Sequence, residues 1–469
     1  MMRSLYSGVS GLQNHQIRMD VIGNNISNVN TTGFKKGRVN FHDLLSQTIQ
    51  GAARPTEEVG GVNPKQVGLG VAVASIDTIH TQGSLQTTGV KSDLAVQGEG
   101  FFVLRDGDQE FYTRDGVFSV DRDGFLVNPA NGFYVQGWQA EDVAGQSIIN
   151  TSSRQEDLLI PVGTKDPASE TTEVYLASNL SKVTPVIPPG ATDAELLNGT
   201  WTVEYDIYDS FGSTHALRID FTRVAGVANQ WLGTVSVNQD SEIPVDQTVA
   251  INGIQSIDNQ TFLLEFDNNG TLLSASNPEG GLVNTGDVSV QIGFVVPESS
   301  IPIDPATGLP GGPEIQNLNL NLGTIGSVLD SMTQFDSSSS TKVYEQNGYG
   351  MGYMNDYRID RSGIITGIFS NGNTRELGQI ALGSFVNPGG LEKEGENNYR
   401  QTINSGLANI GYAGSAGKGS IIAGTLEMSN VDLAEQFTDM IVTQRGFQAN
   451  SRTIQTSDQM LQEILTLKR

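Results

Sequence analysis

Apolar residues recur at intervals of seven at both ends of the chain. Near the N-terminus they are Leu5, Leu12, Met19 and Ile26, with Met2 and Val9 on the neighbouring row. In the last 45 residues the main row is Leu433, Met440, Phe447, Ile454 and Leu461, and the adjoining row contains Phe437 and Leu465. This spacing is typical of helices that pack along one seam. The pattern predicts an amphipathic helix at each end, forming a terminal α-helical coiled coil in which the two helices pair.

Three glycines interrupt the N-terminal pattern, at Gly8, Gly11 and Gly23. A glycine inside a helix costs up to about 1 kcal/mol relative to alanine. Isolated helices are also marginal in water without tertiary packing. The N-terminal helix is therefore not expected to be stable alone.

Between the two ends, short apolar and aromatic runs are separated by turn signals, which is typical of strands. Residues 101–127 contain Asp106-Gly107, Asp115-Gly116 and Asp123-Gly124 between such runs. Asp-Gly favours a type I′ hairpin turn because both central residues of that turn need a positive φ. The segment is predicted to be a β-meander.

A second β region follows in the middle of the chain. The predicted strands lie at 201–221, 231–237, 262–266 and 288–294. A Pro/Gly-rich stretch at 301–314 predicts a connector, and strand patterning resumes over 342–405. The order of helix, β, β, β and helix is nearly symmetric. The fold is predicted to be mainly β and multidomain, with a chain that runs out through stacked β domains and returns.

Acidic charge is concentrated in the middle region. The chain has 52 acidic and 27 basic residues and a net charge of −25. About 25 acidic and five basic residues fall within 141–330, so roughly −20 of that charge lies there. Such a surface repels nucleic acid phosphates and anionic lipid headgroups, so neither is expected as a partner. The sequence also has no run of 18 apolar residues and no signal peptide pattern, so neither membrane insertion nor a cleaved signal is expected.

The usual motifs of catalysis and cofactor binding are missing. The four His have no zinc-site spacing, and Tyr412 and Gly419 break a P-loop-like stretch. The Asp-Gly turns lack the closing Glu of a calcium loop. We expect no enzyme activity, no cofactor and no metal. The sequence has no Cys, which excludes disulfides and fits either a cytosolic protein or one that is exported unfolded.

Long segments at opposite ends of the chain resemble one family. They are SLYSGVSGLQNHQIRMDVIGNNISNVNTTGFKKGRVNF at 4–41 and FTDMIVTQRGFQANSRTIQTSDQMLQEILTLK at 437–468. Both are similar to bacterial flagellar rod and hook axial proteins, and residues 83–138 resemble the β domain that this family shares. The chain length, VYLASNL at 174–180 and YDSFGSTHALRIDF at 208–221 resemble the hook members, including those of spirochaetes. Rod members are shorter and lack a large inserted domain.

The resemblance implies a division of the chain into four parts. These are paired terminal helices at 1–33 and 425–469, a connecting segment at 34–80, a shared β domain at 81–167 and 322–424, and an inserted acidic outer β domain at 168–321.

The resemblance also implies a structural function. The chain is expected to assemble with itself into the curved tubular flagellar hook, a universal joint that transmits motor torque to the filament, through the apolar residues of its terminal helices. The implied partners are rod, hook cap and hook-filament junction proteins and the flagellar export apparatus. The implied location is the flagellum outside the cytoplasm, or the periplasm in a spirochaete. The alternatives are a distal rod or junction protein, and a secreted acidic binding protein or adhesin.

Spirochaete hook proteins similar to this chain form a covalent lysinoalanine link between neighbouring subunits, in which a Lys amine adds to a dehydroalanine made from Cys. By this resemblance Lys165 is the candidate amine, and Ser178 and Asn179 lie in the matching motif. A Ser hydroxyl leaves far less readily than a thiol-derived group. Two alternatives stay open: this is a member without the link, or its Cys has been replaced.

Overall fold

The chain folds into two compact units. Unit 1 comprises Met1–Val162, Asn355–Ile368 and Thr374–Arg469, and unit 2 comprises Gly163–Met354 and Phe369–Asn373. The chain therefore leaves unit 1 and later returns to it, as the nearly symmetric sequence pattern predicts. The computed structural model describes residues 2–52, 54, 60–143, 146–237, 247–251, 254–255, 260–276, 282–283, 285–296 and 315–467. The predicted connector at 301–314 lies outside the described residues.

Long helices occupy both ends of the described chain. Helix α1 spans Met2–Ser27, the short α2 spans Asp193–Gly199, and α3 spans Leu433–Leu467. The start of α1 lies beside the end of α3, and the end of α1 lies beside the start of α3, so the two helices are antiparallel. The predicted pairing of the terminal helices is confirmed.

An arm of two nested hairpins follows α1. Its strands are β1 (Gly37–Asp43), β2 (Ser46–Gln50), β3 (Lys65–Gly68) and β4 (Val71–Thr78). Strand β1 pairs antiparallel with β4, and β2 pairs antiparallel with β3. Both β2 and β3 are exposed along their length. The segment 34–80, predicted only as a connection, thus contains strands of its own.

The first passage through unit 1 continues in short strands. They are β5 (Leu85–Thr87), β6 (Leu94–Gln97), β7 (Phe101–Asp106), β8 (Gln109–Thr113), β9 (Ser119–Val120), β10 (Leu126–Val127), β11 (Tyr134–Val143), β12 (Gln146–Ile149) and β13 (Glu156–Asp157). Strands β7 and β8 form a hairpin, and β9, β10 and β11 pair in sequence. Most of the predicted strands at 101–127 are therefore present.

Two of the predicted Asp-Gly hairpin turns differ from the type I′ turns that the sequence predicts. Between β7 and β8 the turn places Gly107 at a φ of 57° while Asp108 does not enter the positive region, as in a type II′ turn rather than type I′. The prediction is wrong at Asp115-Gly116, which makes no hairpin. There Leu94 N–H donates to Gly116 O at 2.9 Å, and a Cβ on Gly116 would lie 1.5 Å from Leu94 O. Glycine is needed at 116 for this close backbone approach.

Most of unit 2 is a sandwich of two sheets. Its strands are β14 (Lys165–Asp166), β15 (Glu173–Asn179), β16 (Thr200–Tyr208), β17 (Thr214–Arg223), β18 (Gln230–Val237), β19 (Gln247–Ile251), β20 (Ile254–Gln255), β21 (Thr261–Phe266), β22 (Leu272–Ser276), β23 (Leu282–Val283), β24 (Asp287–Val295), β25 (Ile315–Thr324), β26 (Met332–Thr333), β27 (Lys342–Gln346) and β28 (Gly352–Ile359), the last of which extends beyond unit 2. One sheet has the order β16-β17-β18-β21-β22-β23, and the other has β20-β19-β24-β25-β15-β26 with β27 beside β15. Trp231 and Phe262 from the first sheet share one buried core with Phe294 and Leu320 from the second. The predicted middle strands are confirmed.

The predicted shared β domain includes residues 322–354, but these residues lie in unit 2. The physical reason is strand pairing, since β25 pairs with both β24 and β15, and β27 also pairs with β15. The return to unit 1 therefore comes later in the chain than the Pro/Gly-rich stretch suggested.

The second passage through unit 1 completes its main sheet. Its strands are β29 (Ile364–Phe369, whose last residue belongs to unit 2), β30 (Thr374–Ser384), β31 (Glu392–Gly395), β32 (Asn398–Arg400), β33 (Asn409–Tyr412), β34 (Ser420–Ala423) and β35 (Thr425–Glu427), with a 3₁₀ turn at Pro388–Gly390. Strand β30 pairs with β7 and β11, and β32 pairs with β8. Phe101, Tyr112 and Trp138 from the first passage share a core with Ala381 and Tyr399 from the second. One domain is thus built from two distant parts of the chain.

Candidate functional site

The terminal helices meet along a seam of small and polar side chains. Ser4 Oγ lies 3.3 Å from Ser457 Oγ, and Asn25 Nδ2 donates to Gln436 Oε1 at 3.0 Å. Asn25 and Gln436 are 2% and 4% exposed, and Thr443 is fully buried. Gln436, Thr443 and Ser457 share one face of α3 because they are separated by multiples of seven residues. The contact between the helices is therefore largely polar.

Two glycines let the helix backbones approach each other. A Cβ on Gly8 would lie 3.0 Å from Ile454 Cγ1, and a Cβ on Gly11 would lie 2.6 Å from Asn450 Nδ2. A Cβ on Gly23, by contrast, would meet nothing within 4 Å. Gly8 and Gly11 weaken the isolated helix, but they permit the close pairing of α1 with α3.

The predicted apolar rows are only partly covered within the chain. The half-buried members are Leu5, Leu12, Met19, Ile26, Met440, Ile454 and Leu461. The exposed members are Val9, Leu433, Phe437 and Phe447. Leu465 belongs to α3, but its side chain is outside those that the structure describes. The assignment of all these residues of the apolar rows to contacts in the polymer stays a prediction.

Further apolar side chains of the helices lie outside the predicted rows. Near the start of α3, Ile441 and Val442 are 52% and 56% exposed, on the same stretch of helix as Phe437, which is 51% exposed; near the start of α1, Tyr6 is 64% exposed. Phe437 and Ile441 are four residues apart, so they lie one turn apart on the same face of α3. The sequence carried this signal, although a strict seven-residue count missed it. Contiguous exposed apolar surface of this kind marks an interaction site.

Asparagine side chains tie the helices to the adjoining backbone. Asn25 Oδ1 accepts from Gly37 N–H at 2.9 Å, and Asn25 Nδ2 donates to Gly37 O at 2.9 Å. Asn430, just before α3, accepts from Lys36 N–H at 2.8 Å and donates to Ile79 O at 2.8 Å. The base of the arm and the start of α3 are therefore held together.

A buried carboxylate joins both ends of the chain to the β domain. Glu427 Oε1 accepts from Lys35 Nζ at 2.5 Å, and Oε2 accepts from Arg114 Nη1 at 3.2 Å. Gly83 N–H also donates to Oε1, at 2.8 Å. The side chains of Lys35 and Glu427 are 0% exposed and that of Arg114 is 5% exposed. Sequence reasoning missed this cluster because its members are far apart along the chain.

His80 lies next to this cluster and contacts Phe101, with the ring centroids 5.6 Å apart. Burial, followed by the positive charges of Lys35, Arg114 and Lys393, lowers the pKa of His80 to about 4. The imidazole is therefore neutral at neutral pH.

The residues of the suggested covalent link all lie in unit 2 but pair in different sheets. Lys165 is exposed and pairs with Tyr353 of β28. Ser178 has a φ of 101° and pairs with Met332 of β26. Asn179 is buried, and its Nδ2 donates to Ser337 Oγ at 2.8 Å. Asn179 thus fastens the serine-rich loop that follows β26.

Among the described residues, no group of three or more His, Asp or Glu is arranged to hold a metal ion. Of the helices that the structure describes, none is long and apolar enough to cross a membrane.

Comparison with known families assigns four successive parts of the chain. The matching models are the flagella basal body rod protein at 5–35, the flagellar hook protein FlgE/F/G D1 domain at 95–174, the flagellar basal body protein FlaE D2 domain at 177–349 and the flagellar basal body rod FlgEFG protein C-terminal region at 422–467. Together with the paired terminal helices, these matches define a flagellar axial protein of the rod and hook class.

Full-length relatives narrow this class. The chain is 54% identical to the flagellar hook protein FlgE of Treponema pallidum and 55% identical to that of Borreliella burgdorferi, and each alignment covers 100% of both chains. The chain belongs to the flagellar hook protein FlgE family of hook structural subunits. A crystal structure of Helicobacter pylori flagellar hook protein FlgE2 aligns with a TM-score of 0.37 and 16% identity, covering 72% of this chain and 98% of that one.

Proposed function

We propose that this chain assembles with copies of itself into the curved tube of the flagellar hook and transmits motor torque to the filament as a universal joint. One observation carries the proposal. Helices α1 and α3 pair through a small, polar seam and keep apolar side chains such as Phe437, Ile441 and Val442 exposed. Those side chains are available to neighbouring subunits, and their burial favours assembly.

The sequence of the helices supports assembly coupled to ordering. Gly8, Gly11 and Gly23 lower the helix propensity of α1, and the seam with α3 is largely polar. Such helices gain little from pairing within one chain. Burial of the predicted rows, from Leu5 to Ile26 and from Leu433 to Leu465, then supplies the free energy that orders them in the polymer.

The acidic middle domain supports the role of a joint. Like charges on neighbouring subunits repel each other and make adhesion between outer domains weak. Weakly adhesive outer domains can slide or separate as the tube bends in each rotation.

The proposal includes the partners and location of a hook subunit. These are the flagellar rod, the hook cap and hook-filament junction proteins, and the export apparatus that delivers the chain outside the cytoplasm. In a spirochaete the location is the periplasm. The proposed role is structural rather than enzymatic.

Electron microscopy of the concentrated full-length protein tests this proposal. The wild-type chain is expected to form curved tubes, and the variants Phe437→Ser and Ile441→Ser are expected to form fewer or none. Leu273→Ser is the matched control, because Leu273 is an exposed apolar residue of unit 2 (46% exposed). Deletion of residues 1–33 or of residues 433–469, which include α3, is expected to abolish tubes and leave a soluble β core, because each deletion keeps Glu427 and its buried partners. A chain that stays monomeric yet binds a ligand equally well after these deletions would instead be a secreted binder.

A further inference from the structure

Lys418 is a buried lysine without an ionic partner in the described part of the chain. Its exposed fraction is 6%. Among the residues that the structure describes, its side chain forms no ion pair and no hydrogen bond. Lysines are rarely buried to this extent unless they are paired, as Lys35 is with Glu427. The proposed role in assembly gives no account of this lysine.

A tight glycine-rich loop positions Lys418. The loop at 413–419 joins β33 to β34, and Gly414 N–H donates to Gly419 O at 2.9 Å across its base. Lys418 N–H donates to Ser415 O at 2.8 Å within the loop. The backbone that carries the lysine is therefore fixed by hydrogen bonds of the loop itself.

The Lys418 side chain folds over the bare backbone of Gly411. A Cβ on Gly411 would lie 2.9 Å from Lys418 Nζ and 3.0 Å from Ser415 Oγ, so an amine and a hydroxyl converge where a side chain is absent. Ser415 Oγ donates to Tyr412 O at 2.6 Å. Lys418 Nζ is not one of the fully enclosed polar atoms of the described residues that lack a partner, so the amine keeps contact with solvent. A small molecule can reach it.

Burial changes the chemistry of this amine. It lowers the pKa of Lys418 below the ordinary value for lysine, and no carboxylate opposes the effect. At Lys35, by contrast, Glu427 opposes the same effect of burial. A larger fraction of Lys418 is therefore uncharged at neutral pH than of an exposed lysine, and the uncharged amine is the nucleophile. Burying the charge of Lys418 without a partner also costs free energy, which a neutral product avoids.

We propose that Lys418 is a modification site that accepts a small acyl group from an acyl phosphate. The uncharged Nζ attacks the acyl carbon and a C–N bond forms. Inorganic phosphate leaves with the electron pair of the broken C–O bond, and Nζ releases one proton to solvent. The product is a neutral amide, and the Ser415 hydroxyl near Nζ is placed to hydrogen-bond to it. The inference goes beyond the proposed function and does not depend on assembly.

Acetylation of the folded full-length chain tests the inference. The protein is incubated with acetyl phosphate at neutral pH, and mass spectrometry of its peptides gives the fraction acetylated at each lysine. Lys418 is expected to be acetylated several-fold more than Lys165 and Lys342, which are exposed. This preference is expected to disappear when the reaction is repeated in urea, because unfolding removes the burial of the amine.

A charge-preserving variant supplies a second readout. Lys418→Arg keeps a positive charge on a guanidinium that stays protonated, so it is expected to accept no acyl group at this position. Acetylation is expected to raise the melting temperature of wild type more than that of Lys418→Arg, because only wild type loses a buried charge. Circular dichroism checks that the variant is folded.

Three outcomes would overturn the inference and leave the proposed function intact. The first is equal acetylation of Lys418, Lys165 and Lys342 in the folded chain, and the second is a preference for Lys418 that persists in urea. The third is an equal change in melting temperature for wild type and Lys418→Arg, which would mean that acetylation removes no unfavourable buried charge.

Discussion

Asn25 and Gln436 are 411 residues apart in sequence, yet their buried side chains hydrogen-bond across the two terminal helices at 3.0 Å. Asn25 also holds both polar backbone groups of Gly37. One side chain therefore links three segments: α1, the start of the arm and the start of α3. A polar contact in such a seam fixes the register of the two helices.

We predict that Asn25→Ala loosens the pairing of the terminal helices. It leaves the Gln436 amide buried without this partner, which costs about 1–3 kcal/mol. Amide hydrogen exchange in α1 and α3 of assembled tubes is expected to become faster. Asn24→Ala is the control, because Asn24 is the exposed neighbour on the same helix. Unchanged exchange in Asn25→Ala would contradict this account of the seam.

The glycines of α1 are predicted to differ in their tolerance of substitution. Gly11→Leu should weaken the packing of α1 against α3, because the larger side chain must displace that of Asn450, whose Nδ2 would lie 2.6 Å from a Cβ at this position. Gly23→Ala should stabilise α1 by up to about 1 kcal/mol, since its Cβ has open space. Thermal unfolding followed by circular dichroism at 222 nm measures both. If both variants lost the same amount of helix, Gly11 would not be needed for the close approach of α1 to α3.

The helices were predictable because Leu433, Met440 and Ile454 carry a periodic apolar signal. The seam between them was not, because Asn25 and Gln436 carry no hydrophobic signal. Sequence periodicity identified the faces with apolar side chains, whereas pairing within the chain uses Ile454 of the predicted row together with a neighbouring polar face. A buried polar residue of one helix indicates this contact only when the structure shows its partner on the other helix.

Long-range pairing limited the prediction in the same way. The middle strands around Trp231 alternate clearly and were found, because alternation is a local signal. The Glu427 cluster depends on Lys35, which is 392 residues away, and on Arg114. The extent of unit 2 likewise depends on the pairing of β25 and β27 with β15. No local pattern contains that information.

We predict that the polymer of this chain contains no lysinoalanine link. Lys165 is exposed, but the residue in the matching motif is Ser178, whose hydroxyl is a poor leaving group. Assembled tubes are expected to give only monomers after boiling in detergent. Mass spectrometry of the peptides is expected to find Lys165 and Ser178 unmodified. A ladder of covalent oligomers would refute the prediction.

Stability is predicted to fall on mild acidification through His80. Its folded-state pKa of about 4 lies below the ordinary 6.5, so the unfolded chain takes up this proton first. The contribution of His80 to the free energy of unfolding is complete above pH 6.5 and is lost as the pH falls from 6.5 to 4. The shift in pKa corresponds to about 3 kcal/mol at most. Lys35, Arg114 and Lys393 oppose the proton, while the nearby Glu427 is already paired.

Urea unfolding between pH 7 and pH 4 measures this effect. The loss of stability in His80→Gln is expected to be smaller than in wild type over that window, because glutamine does not titrate. His42→Gln, at an exposed position of the arm, is the control and should follow wild type. If the free energy of unfolding depended on pH equally in wild type and His80→Gln, burial of His80 beside the cations would not be the cause of the loss of stability in acid.

Glu427→Gln is predicted to be among the most damaging single substitutions in unit 1. It removes the carboxylate that faces both Lys35 and Arg114, which leaves Lys35 buried without its ion-pair partner and Arg114 with only the charge of Glu99 to oppose its own. Breaking a buried ion pair in this way costs about 3–5 kcal/mol. Glu435→Gln is the matched control: it breaks the more exposed pair with Lys36 and should cost less than about 1 kcal/mol. Denaturant unfolding of both variants makes the comparison, and equal losses would mean that the buried cluster does not hold the ends of the chain to the β domain.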